Sequence, residues 1–577
     1  MDLTHIPPAA LGPPGTFAQS QSTQNNGLCD RCAQIDFREI FAAQDMRPSS
    51  WKIVLDLGEV DPCSPCPMCR LFHDKGRSDP MCRRTIGRLW VILCPAFGFD
   101  ENLFGGARSR RSAFGITILW TSSREDASKS RNRITRERVA RLPCDVIFPN
   151  GSSTTFGVPP GTVECTAINQ TEVDYGRIQD WLQRCDTRHT GTCCRLPRGG
   201  PTEISCIDCY TRAVMLVGAD DEYLALSYVW GHSKGLAALR PGKMLPDDED
   251  LSQVVRDAII VVRRLGKRYL WVDKYCIDQT DEDMKRHQIR HMDRVYEGAY
   301  ATIVAGAGPD ANFGLPGVSS RPRTAQTVVQ TPAMTVVGAP RPLGRDLAWG
   351  DWIKRGWTYQ EAVLSRRLII FTELQAHFVC SAMTCSETVL AAVDDMHAGQ
   401  GERPITLLNS DLFHGQANRK VPRKPPGELT LFHQLLDHIT VFSGRSLTFQ
   451  SDALNAFRGI LSRWPFYSYY GIPFAVDQPA DVSQPLHSAQ HQLGFLRALF
   501  WSRPVWTRQR KPPGFPSWSW ASSSDGVAFH SLKGDVHLPM AKIDVEDIIR
   551  NIADDAPAER ILAELSPELH LETLIAS

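Results

Sequence analysis

The residues best suited to chemistry are acids and aromatics, and they gather in three short stretches. In YLWVDKYCIDQTD, Asp273 and Asp278 follow the apolar run Leu270 to Val272, so carboxylates collect where a buried strand leaves the core. In WGDWIKRGWTYQE, Trp357 and Glu361 are four residues apart, a spacing that places an indole and a carboxylate on one side of a helix. The run YLALSYVWG ends in Tyr228, Trp230 and Gly231, two aromatics and a flexible turn at the carboxyl end of a strand, the edge at which open α/β sheets bind ligands. Each has a plainer reading. Glu361 can pair with a nearby cation such as Arg355 or Arg366, Asp273 and Asp278 can cap a loop or helix, and Trp230 and Trp357 serve equally well as core aromatics.

The elements that must position these residues form an alternating series. Ile204 to Val217 reads as a strand pair and Tyr223 to Gly231 as a first central strand. Leu251, Val254, Val255, Ala258, Ile259, Val262 and Leu265 keep helical spacing, with Gly266 as the stop. Tyr269 opens a second strand. Asp281 is an N-cap, and Met284, Gln288, Met292, Val295, Tyr296 and Ala299 predict one helix with a narrow continuous stripe. ATIVA, from Ala301 to Ala305, is a buried strand, so the unit implies a parallel pair joined by a right-handed crossover. Alternation of this kind specifies an α/β doubly wound sheet. Further on, Val328 to Val337 suits strands, Trp352, Ile353, Trp357, Gln360 and Val363 fit one helix face, and Leu368 to Phe371 fit another strand.

At 577 residues the chain is too long for one core. It divides into a disordered Pro- and Gly-rich tail (1–27), a Cys-rich region (28–200), the α/β domain (201–400) and a C-terminal α+β region (401–577). Lys plus Arg and Asp plus Glu are 64 each, so no global field recruits nucleic acid or an anionic membrane. No apolar run approaches the roughly 20 residues that span a bilayer, and the start lacks a secretory pattern, which points to the cytoplasm. The basic segment from Arg108 to Arg141 reads as a solvated loop. Seventeen cysteines suit reduced thiols. Cys29, Cys32, Cys63, Cys66 and Cys69 have spacings that suit zinc, but the three-cysteine run and the lack of a histidine at finger spacing favour packed thiols, so no resident metal is expected. Cys185, His189, Cys193 and Cys194 are likewise read as a small core beneath a linker. Toward the end, Leu429 to Phe442, Ser451 to Leu461 and Ile543 to Ile552 look helical, and FPSWSWAS alternates two tryptophans as a strand would. The chain stops at LHLETLIAS soon after a strand-like segment begins, as an incomplete C-terminal domain would.

Five blocks in order, YLALSYVWG, LGKRYLWVDKYCIDQTD, MDRVYEGAYATIVAGAG, GLPGV and RGWTYQEAVLSRRLIIF, resemble the fungal heterokaryon-incompatibility (HET) domain. Lys274 and Tyr275 stand where that family usually has a small or apolar pair. The resemblance implies non-self recognition ending in programmed cell death, with self-association or other incompatibility proteins as partners. The element order is in turn similar to that of Toll/interleukin-receptor (TIR) domains, a flavodoxin-like parallel sheet, some of which cleave NAD with a Glu four residues after a Trp. That likeness implies Glu361 as the catalytic acid, with Tyr228, Trp230 and Trp357 stacking on flat rings and Asp273 or Asp278 binding hydroxyls. NAD is then a substrate and no cofactor is implied. Nicotinamide leaves a cationic ring as a neutral molecule, so one anion facing the oxocarbenium-like state could suffice. The rival expectation is a non-catalytic TIR-like module that signals through homotypic or partner contacts.

Overall fold

The computed structural model describes residues 27–35, 55–60, 64–77, 89–96, 115–121, 146–149, 164–193, 203–218, 220–231, 241–278, 281–332, 335–338, 343–347, 350–381, 383–390, 428–474, 498–499, 501–503, 515–523, 525–529, 541–543 and 571–573. Positions 1–26 of the proposed tail, most of the basic segment, Cys63, Cys194 and positions 544–552 lie outside them. Among the described residues no helix is long and apolar enough to cross a membrane.

The apolar runs near Leu89 and Phe114 form strands, as their composition predicts. Leu55–Val60 (β1), Leu89–Ala96 (β2), Gly115–Thr121 (β3) and Val146–Pro149 (β4) pair antiparallel in sequence order. A short strand, Glu164–Cys165 (β5), follows. The main sheet begins with Glu203–Asp208 (β6) and Val214–Gly218 (β7), an antiparallel pair. It continues with Tyr223–Ser227 (β8), Tyr269–Trp271 (β9) and Ala301–Ala305 (β10). Val328–Gln330 (β11) and Thr335–Gly338 (β12) leave it to extend the N-terminal sheet beside β4, so one sheet draws strands from both sides of residue 200. Arg367–Phe371 (β13), Ala376–Cys380 (β14) and Thr384–Ser386 (β15) complete the main sheet, and Val389–Leu390 (β16) pairs with β5.

The eight strands of the main sheet lie in the order β15-β14-β13-β10-β8-β9-β6-β7. Within it β8, β9, β10 and β13 are parallel. Every residue of β8, β10 and β13 is buried, as expected of short apolar strands covered on both faces. β9 and β10 are parallel, as expected of the crossover unit, but they flank β8 on opposite sides and do not hydrogen-bond to each other. The chain therefore reverses direction of travel across the sheet at β8, and a crevice opens beyond the carboxyl ends of such strands. The helix Gln253–Arg264 covers one face with Val254, Val255, Ala258, Ile259, Val261 and Val262.

Three local expectations are corrected. The helix after Asp281 is two helices, Glu282–Arg290 and Met292–Gly298, with a break at His291. Asp281 does cap it, accepting from the Asp283 and Met284 amides at 3.0 and 2.9 Å. The first helix buries nothing and Met284 is exposed, because charged residues outnumber its apolar ones; the second re-aims Met292, Val295 and Tyr296 into the core. Trp352 and Trp357 are not on one helix. Trp352 sits on a 3-10 turn, Arg355 is extended, and the helix starts anew at Gly356–Leu364, where the Gly356 amide is held by the Ser446 carbonyl at 2.8 Å. FPSWSWAS is a turn ending in a 3-10 segment, Trp520–Ser522, because the Trp520 indole donates to the Gly471 carbonyl at 2.7 Å and its ring packs edge-on against Phe442 and Phe457.

The helix Gly356–Leu364 is wedged between two layers. Tyr359, Val363 and Leu364 join the C-terminal core built on the helices Glu428–Ser443 and Asn455–Leu461, while Ala362 packs with Trp352 against β10 and β13. All its residues except Trp357 are buried, so it presents no solvated face.

Candidate functional site

Four parallel strands and one wedged helix converge on a pair of carboxyl groups. Glu361 projects from the Gly356 helix toward the end of β8 and is 5% exposed. The Ser227 hydroxyl, last in β8, donates to its Oε2, and Ser227 Oγ accepts from the Trp352 indole at 2.8 Å. The Tyr296 hydroxyl also reaches the Glu361 carboxyl. Its single proton goes to the Leu226 carbonyl at 3.1 Å. The Tyr296 contact, like the Ser227 bond, favours the ionised carboxyl. Burial pushes this carboxyl up to about 8; the Ser227 bond opposes the shift, the nearby Asp273 adds to it, and Arg355 opposes it.

Asp273 occupies the step from β9 into the single turn Asp273–Cys276. Its Oδ2 accepts from the Trp230 indole at 2.8 Å and its Oδ1 from the Lys274 amide at 2.7 Å. It is half-buried, so one carboxyl of the pair meets solvent and the other does not. Burial pushes Asp273 up to about 6, against the Trp230 and Lys274 bonds and the Arg355 charge. Trp230 is 36% exposed, an accessible ring fixed at its edge by the acid. The Tyr228 hydroxyl is buried beside both acids, within reach of the Asp273 carboxyl, and burial together with those charges drives it upward.

Gly231 ends this segment with φ +71°, and a Cβ there would lie 2.4 Å from Asp310 Cβ. Gly231→Ala is expected to cost about 1–3 kcal/mol and to unseat Trp230, read as a lowered denaturation midpoint with altered tryptophan emission; an unchanged midpoint would contradict it.

The other sequence candidates stand apart from this pair. Asp278 is half-buried at the next turn, its amide held by Gln288 Oε1 at 2.8 Å. Trp357 shares the helix with Glu361, but its indole bonds Asp452 of the C-terminal region and packs against both large cores. Two partners of Glu361, Ser227 and Tyr296, and Trp352 behind Ser227 were not singled out for the site. Ser227 had a signal, as the one serine in the apolar stretch YLALS, whereas Trp352 and Tyr296 could be read only as packing residues. On the β10 side the crevice is closed: a Cβ on Gly306 would meet Leu347 at 2.7 Å, and one on Gly350 would meet the Gly306 carbonyl at 2.9 Å. The accessible edge is thus at β8 and β9. A cleft of about 510 Å³ bordered by Asn169, Tyr175, Arg264 and Arg323 shares no lining residue with the acid pair.

Two further groups of ligand-type atoms converge elsewhere, Cys29 with Cys32, Cys66 and Cys69, and Cys185 with His189, Cys193 and Cys380. In compared sequences, residues 223–361 match the family described as Heterokaryon incompatibility protein (HET). No curated protein and no solved structure matches the chain.

Proposed function

With a heterokaryon-incompatibility domain at residues 223–361 as the premise, we propose that the chain is a cell-death effector of heterokaryon incompatibility whose Glu361–Asp273 edge cleaves NAD or a related nucleotide. The observation that carries this reading is the inward course of Glu361: its carboxyl lies at the end of β8 with Asp273, Tyr228 and Trp230 rather than among surface cations. The parallel order β9-β8-β10-β13, in which the second, first, third and fourth strands lie side by side, is the flavodoxin-like order that a TIR-like core requires.

The chemistry divides between the two acids. The accessible Trp230 ring stacks on a flat base or nicotinamide, and the half-buried Asp273 accepts from ribose hydroxyls or takes the proton of the attacking water. The bond from ribose C1′ to nicotinamide breaks with its electron pair leaving on the neutral nicotinamide, and water adds to C1′. Glu361, held neutral in the free chain, releases its proton to bulk water as a cationic nicotinamide ring binds, and its carboxylate then faces the developing oxocarbenium charge. That contribution is on the order of 3 kcal/mol, roughly a hundredfold in rate. Further copies of the chain, or other incompatibility proteins, assemble the active form in this reading.

The test is NAD consumption by the purified full chain, alone and fused to an oligomerising tag, beside Glu361→Gln and Asp273→Asn. Consumption that falls at least about a hundredfold in Glu361→Gln is expected. Cell killing by a parent chain that consumes no nucleotide would instead make the β8–β9 edge a docking surface.

A further inference from the structure

We infer that the chain carries a structural zinc ion held by Cys29, Cys32, Cys66 and Cys69, stapling the segment Leu28–Ile35 to the helix Pro67–Arg77. The two pairs have the Cys-x2-Cys spacing that lets thiolates on a tight turn reach one ion. Cys29 caps the single turn Asp30–Ala33 and Cys32 lies within it, and Cys66 and Cys69 sit at the start of the longer helix. All four sulfurs lie within 4.8 Å of one another, with Cys29 to Cys69 at 3.8 Å and Cys32 to Cys69 at 3.6 Å. A tetrahedral zinc with bonds of about 2.3 Å sets its sulfurs about 3.8 Å apart, whereas a disulfide would bring two of them to about 2.05 Å. Packed thiols would seek apolar neighbours; these face one another. Cys63 is not needed, which resolves the three-cysteine run: two of its members make a pair. A four-residue turn has little of its own to hold it, and a metal supplies the missing constraint.

A second ion follows from a separate observation. Cys185 and His189 end the helix Tyr175–Arg188, Cys193 ends the turn Thr190–Cys193, and Cys380 comes from β14; their ligand atoms lie within 4.8 Å of one another and all four residues are buried. His189 Nδ1 is 3.5 Å from Cys380 Sγ. The buried Arg367 donates through Nε to Cys185 Sγ at 3.2 Å and is anchored by Asp186 at 2.5 Å and the Tyr300 carbonyl at 3.1 Å. A divalent ion with three thiolates and an imidazole carries one net negative charge, and the buried Arg367, held in place by Asp186, donates to one ligand sulfur from the shell behind it.

Elemental analysis of the full chain, purified under reducing conditions and dialysed against a mild chelator, is expected to find two zinc ions per chain. Cys32→Ser and Cys193→Ser should each remove one. X-ray absorption of the unmodified chain should show sulfur at about 2.3 Å with a minor nitrogen contribution, and this needs no variant to fold. One ion, lost in Cys32→Ser, would keep the first site and overturn the second. Zinc-free protein that also fails to give thiolate-to-cobalt charge-transfer absorption on cobalt(II) titration would overturn both.

Discussion

Glu361→Gln is expected to stabilise the folded chain at pH 7 by about 3 kcal/mol while removing nucleotide cleavage. The sign follows from linkage. Glu361 has its carboxyl pushed up from 4.5 to about 8 in the fold. Between those values the folded chain holds a proton that the unfolded chain releases. Its contribution to stability is therefore complete below about pH 4.5, falls as pH rises, and is lost by about pH 8. Asp273, pushed up from 3.8 to about 6, adds a smaller fall over its own window. A glutamine is neutral in both states and keeps the oxygen that Ser227 donates to, so the slope flattens. Denaturant titrations of parent and variant from pH 5 to pH 9 should diverge steadily up to about pH 8. Parallel curves would mean that Glu361 is ionised in the fold.

The second large effect is expected at Arg323, whose change to Ala should cost about 3–5 kcal/mol. Arg323 and Glu387 are 2% and 3% exposed and form an ion pair. The guanidinium also donates to the Asn169 and Glu172 carbonyls, the latter at 2.6 Å, and the Glu387 carboxylate accepts from the Asp174 and Ala376 amides at 2.9 and 2.6 Å. One pair thus ties the segment ahead of the helix Tyr175–Arg188 to the loop after β10 and the far edge of the main sheet. Removing only the cation leaves a charged carboxylate in the core, which costs more than the pair contributes. Arg323→Met combined with Glu387→Gln should recover part of the loss, and a single-variant loss under about 1 kcal/mol would show the carboxylate to be solvated.

How far these features were legible in the sequence depended on whether local pattern and tertiary layer agreed. They agreed for β8, β10 and β13, because strands buried on both faces need only be short, apolar and β-branched. They disagreed at the Gly356 helix, where Trp352 and Trp357 have helical spacing but the wedge between two cores places one on a separate turn and sends the other to Asp452. Glu361 was legible through its spacing from Trp357, although that tryptophan takes no part in the acid pair. Ser227 and Tyr296 act on Glu361 from 134 and 65 residues away in sequence, distances that no periodicity spans. Cys380 on β14 joins Cys185 on the helix Tyr175–Arg188 over a similar separation in sequence, whereas the Cys29 and Cys66 pairs announced themselves by spacing.

The central claim is that Glu361 faces a ligand's developing charge as a carboxylate formed on demand. Nicotinamide release by the folded full chain, followed from pH 6 to pH 9 at low NAD, tests it most directly. The account predicts a rate that climbs through about pH 8 to a plateau and disappears in Glu361→Gln. No release at any pH, or release that Glu361→Gln leaves unchanged, would contradict it.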